Sequence, residues 1–156
     1  MHKALLELRD KWAAGFGQTD EGKRRQAVGA LEEMVQVAMD LNSSDALAGS
    51  KGIQDRIIQQ VFSKWREHAA KAIGGNPRDG EVMFLCESWL RIGLLLLDGI
   101  ADQPDLPQLA TDCAKLLTRN DDLRKGEYLV ITQLFRDCYE LHDQVLKKQK
   151  EREVGH

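Results

Sequence analysis

The sequence predicts an all-α protein: a single-domain bundle of five to six mostly antiparallel helices around a central apolar helix at about residues 78–100. Three observations carry this expectation. Apolar residues recur at helical spacing along most of the chain, prolines number only 3, and strand-like β-branched runs are few. One stretch, Val82–Ile100, is Leu, Ile, Met, Phe, Trp and Cys almost all the way round. Its charged side chains, Glu87, Arg91 and Asp98, recur at spacings of four and seven and so share one stripe of a helix. A helix so apolar must be covered on most sides, by protein or by lipid.

Magnitudes decide against lipid. Each charge near the middle of a span costs about 2.5–3.5 kcal/mol, whereas each Val, Leu, Ile or Phe returns only about 0.3–0.6 kcal/mol. The stretch therefore reads as a core helix that contacts at least three others. Burial of each large apolar side chain contributes about 1.5–3 kcal/mol.

The remaining elements follow in order. Leu5, Leu8 and Trp12 make a short amphipathic stripe, read as an N-terminal arm over residues 1–16 that stops at Gly15-Phe16-Gly17. Thr19 or Asp20 caps the next helix, which runs to about Leu41 with Ala27, Leu31, Met34, Val35 and Ala38 on its apolar face. After a loop at 42–50, a third helix spans about Gly52–Ile73, with Ile53, Ile57, Val61, Trp65 and Ala72 inward. Gly74-Gly75-Asn76-Pro77 is the strongest break, and the central helix begins near Pro77 or Asp79. Asp105 and Gln108 form a capping box for a short helix ending before Asn120. The last helix starts between Asp121 and Glu127 and runs to about Lys148, with Leu134, Cys138, Leu141 and Val145 inward. Beyond it, residues 149–156 read as a frayed polar tail. Gly29 and Gly93 interrupt two good helices; accommodation of a bulky neighbour explains Gly93, while Gly29 is open to either close approach or no role.

Composition narrows the function class. At 156 residues the chain is one domain (1–156), and a net charge of -3 gives no overall field for polyanions or anionic lipid. The segment MHKALLELRD lacks the pattern of a secretory leader, and an odd set of three cysteines fits reduced thiols, so a cytoplasmic location is expected.

The chemical motifs in the sequence each have a plainer reading beside the functional one. Gly17-Gln-Thr-Asp-Glu-Gly22-Lys23 matches phosphate-loop spacing, but Arg24 stands where Ser or Thr must follow, and a helix precedes it where a strand is needed. Cys138 and His142 are four apart, and with Cys86 and Cys113 would make a four-ligand set for zinc, though no paired C-x-x-C is present. Core thiols are the simpler reading. The chain has no Glu-x-x-His, which argues against a di-iron bundle, and His68 reads as a boundary histidine. Glu32-Glu33 and Asp121-Asp122 read as solvated surface and a helix start. No nucleophile elbow is present. Basic residues Arg24, Arg25, Arg119, Arg124 and Lys125 sit at helix ends beside acids and without interleaved aromatics.

Surface recognition is what remains. The chain reads as a non-enzymatic helical interaction module, without cofactor or membrane contact, whose partner is another protein or a second copy in a dimer. The apolar surplus of Trp12, Phe16, Phe62, Phe84, Trp89, Phe135 and Tyr139 motivates this, and Trp12, Phe16, Phe135 and Tyr139 are the expected contact residues. A nucleic-acid regulator using the five basic residues is the first alternative, and a metal-binding bundle using the thiols and His142 the second.

Overall fold

The computed structural model of the protein describes residues 2–42, 51–97, 106–120 and 129–154. Among the described residues every regular element is a helix: α1 (His2–Ala13), α2 (Glu21–Asn42), α3 (Lys51–Gly74), α4 (Asp79–Leu97), α5 (Leu106–Arg119) and α6 (Leu129–Val154). None of these helices is long and apolar enough to cross a membrane.

Local chemistry sets the boundaries. Asp20 caps α2, its Oδ1 accepting the Lys23 backbone N–H at 3.0 Å. Gly17 takes φ +80°, the left-handed region that only glycine enters cheaply, so the phosphate-loop look-alike is an interhelical turn. Helix α4 begins at Asp79 rather than Pro77, with the Arg78 carbonyl accepting from Glu81 and Val82, and with Asp79 and Glu81 at the positive end of the helix dipole. The Asp105 capping box and the start of the last helix between Asp121 and Glu127 lie outside the described residues.

Both terminal elements are helical. Helix α6 continues past Lys148 to Val154, because Lys, Gln, Glu and Arg all sustain a helix, and residues 155 and 156 lie outside the described residues. At the other end, α1 carries the stripe expected of the N-terminal arm. Helix α1 packs along α2 and reaches α3, and Leu5 and Trp12 are fully buried.

Helix α4 holds the middle, packed against α2, α3, α5 and α6, as its apolar surface requires. Three successive carbonyls in its central turn each accept a side-chain donor. Leu85 O receives the Trp65 indole N–H from α3 at 2.9 Å, and Cys86 O receives the Cys138 thiol from α6 at 3.4 Å. Glu87 O receives the Arg91 guanidinium at 3.2 Å. From α1, the Trp12 indole donates to the buried Ser88 hydroxyl at 2.9 Å. Trp65 also packs on Trp89 with ring centroids 5.5 Å apart. Gly93 is the close approach of α4 to α6: a Cβ there would collide with Leu141, whose Cγ would lie 2.7 Å away. Gly29, by contrast, faces open space.

Candidate functional site

The site is the side of α4 that its neighbours leave uncovered. Val82, Leu85, Cys86, Ser88, Trp89, Ile92 and Leu95 turn inward. Met83, Glu87, Leu90 and Arg91 are only half-buried, and Leu94 is 45% exposed. Met83, Glu87, Leu90 and Leu94 follow one another at steps of four, three and four, the spacing of a two-helix seam. Arg91 flanks Glu87 on the same side. Among the described residues the Glu87 carboxylate has no ion-pair partner, and the Arg91 guanidinium donates to the backbone carbonyl of Glu87 rather than to a carboxylate. Single exposed leucines are ordinary, as is Leu6 on α1 at 38%. Leu94 differs because Leu90 and Met83 extend it into a ridge on the most apolar helix. Sequence reasoning passed over this ridge, since a leucine facing out looks the same in sequence as one facing in. The signal was there in Glu87 and Arg91, which mark the direction of solvent.

Of the four aromatic residues expected as contacts, two lie in the interior. Trp12 and Phe135 are fully buried, so neither is an exposed contact. Phe16 and Tyr139 are half-buried against the core.

The three thiols lie on three adjacent helices, α4, α5 and α6, and all are buried and reduced. Cys138 is pushed well above the ordinary thiol range by hydrogen bonding to Cys86 and then by burial. Burial pushes Cys113 up as well, with Cys138 adding to it. Thiols held protonated are poor ligands and poor nucleophiles. His142, one turn beyond Cys138, lines a shallow groove with Lys115 and Arg119, its Nδ1 3.3 Å from Asp143. Among the described residues no three metal-ligating side chains are placed to hold one ion.

The basic residues do not form one patch. Arg24 donates to the Gln18 carbonyl at 3.1 Å and packs on Gly80; Arg25 pairs with Glu21 at 2.9 Å. Arg119 donates to the Gly75 carbonyl at 2.9 Å, closing the end of α3. Arg124 and Lys125 lie outside the described residues.

One further concavity was not anticipated. Phe16 stacks on His68 with centroids 3.8 Å apart and meets Phe84 edge-on at 4.9 Å. Gly15 lets the turn approach this closely, because a Cβ there would stand 2.5 Å from the Phe84 ring and 2.6 Å from Ala27. The stack borders a cavity of about 310 Å³ shared with Lys71, Asn76 and Glu81. Burial lowers the His68 pKa from 6.5, and Lys64 and Lys71 lower it further against Glu67 and Glu81. A group with a depressed folded pKa favours its neutral form, so stability is complete above about 6.5 and declines as pH falls through the folded value. Melting temperatures measured from neutral to mildly acidic pH should fall less steeply for His68→Phe, which keeps a stacking ring but does not titrate. An identical decline in both proteins would remove His68 from the acid response.

No protein family, curated protein or solved structure matches this chain.

Proposed function

We propose that this chain is a non-enzymatic protein-interaction module whose contact surface is the outer ridge of α4. The observation that carries this reading is the seam of Met83, Glu87, Leu90 and Leu94, in which an exposed Leu94 is flanked by half-buried Met83 and Leu90 on the molecule's most apolar helix. Apolar ridges edged by charge suit partner helices, which remove the leucines from water and use the charges to set register.

The buried native thiols allow a direct test. Leu94→Cys introduces an accessible thiol on the ridge, and Leu6→Cys supplies a control on α1. Maleimide labelling of Leu94→Cys should slow about fivefold or more, relative to the control, in concentrated protein or in extract of the source cells, as a covered site loses solvent access. Equal labelling of both positions under all conditions would defeat the proposal.

A further inference from the structure

The geometry points to a second copy of this chain as the partner, docked ridge to ridge with the two α4 helices antiparallel about a two-fold axis level with Trp89. This rests on the reading of the ridge as a docking surface, and the argument for this occupant is self-complementarity. A two-fold contact sets each residue against the one equally far from the axis on the other copy. Glu87 and Arg91 lie two residues either side of position 89, and on a helix both project to the same flank of the seam. Across the axis Glu87 of each copy therefore faces Arg91 of the other, giving two ion pairs. Leu90 lies on the opposite flank, one residue from the axis, so the two Leu90 side chains meet, about 3 Å apart along it. Met83 faces Leu94 at either end. Each apolar residue of the ridge thus finds an apolar partner and each charge its opposite. Parallel pairing would instead set Glu87 on Glu87 and Arg91 on Arg91.

Two charge reversals and their mixture test this arrangement. Glu87→Arg alone and Arg91→Glu alone each set like charges across the axis, while an equimolar mixture of the two variants restores both opposite pairs in a heterodimer. Sedimentation from low to high micromolar protein should show wild type forming dimers. Each single variant should have its dimer dissociation constant raised about tenfold or more. The mixture should recover association to within about threefold of wild type. Circular dichroism confirms that the variants are folded, and Leu94→Gln, which alters no charge, should weaken the dimer too. A monomeric wild type, single variants that dimerise normally, or a mixture that fails to associate would each overturn the inference. The docking surface itself stands apart from these outcomes. A monomeric wild type whose Leu94→Cys thiol is protected only in cell extract would mean that another protein covers the ridge.

Discussion

Replacing Trp12 with alanine is expected to destabilise the fold by about 3–5 kcal/mol, as when other fully buried aromatic side chains are removed. Its indole is fully buried where α1 meets α4, and Phe84 stacks at a centroid distance of 6.4 Å. Deletion would also leave the Ser88 hydroxyl, itself fully buried, without its indole donor. Domains of this size are typically stable by only about 5–15 kcal/mol, so the variant should keep little reserve. Urea denaturation followed by far-ultraviolet dichroism provides the measurement. Ser88→Ala isolates the polar part, with an expected loss of about 1–3 kcal/mol from the unpaired indole. Trp12→Phe combined with Ser88→Ala should cost less than the two changes summed, because the second removes a partner already lost. Full stability in Trp12→Ala would mean that α1 is not an integral part of the core.

Two glycines to be changed to alanine should respond with opposite signs. At Gly93 the new methyl would meet Leu141, a buried side chain with little room to retreat. Overpacking of this kind costs about 1–3 kcal/mol, against a helix-propensity gain of about 1 kcal/mol. A net loss is expected, reduced when Leu141→Val accompanies the change. At Gly29 the methyl would enter open space on an exposed helix face, so the propensity gain of about 1 kcal/mol should appear nearly whole. The urea midpoint should fall for the first variant and rise for the second, with unchanged slopes. Midpoints moving in the same direction would contradict the close approach of α4 and α6.

These two residues also show what the sequence made legible. Gly93 could be read as accommodating a bulky neighbour because it interrupts an otherwise continuous apolar helix, although Leu141 could not be named from spacing alone. Helix positions were readable where caps and glycines concentrate, as at Asp20 and Gly74-Gly75, and less so where ordinary helix formers continue, as beyond Lys148. The central place of α4 followed from its apolar circumference. Its outer ridge did not, since Leu90 and Leu94 have the same chemistry as Leu85 and Leu95, and only the packing of the neighbouring helices decides which are covered. The burial of Trp12 and Phe135 was illegible for the same reason: residue type reports a preference for burial but not how much interior a given topology provides. The Phe16–His68 stack joins residues far apart in sequence, and nothing local pairs the one with the other.

The hydrogen-bonded middle turn of α4 bears on how a partner would meet this protein. Helices commonly loosen from their termini, yet here the carbonyls of Leu85 and Cys86 are tethered to α3 and α6, so freeing that turn means parting it from both neighbours. Glu87 and Leu90 rise from this anchored backbone. The ridge is therefore stiff before any encounter, and association across it forfeits little backbone freedom, which favours tight pairing from a modest contact.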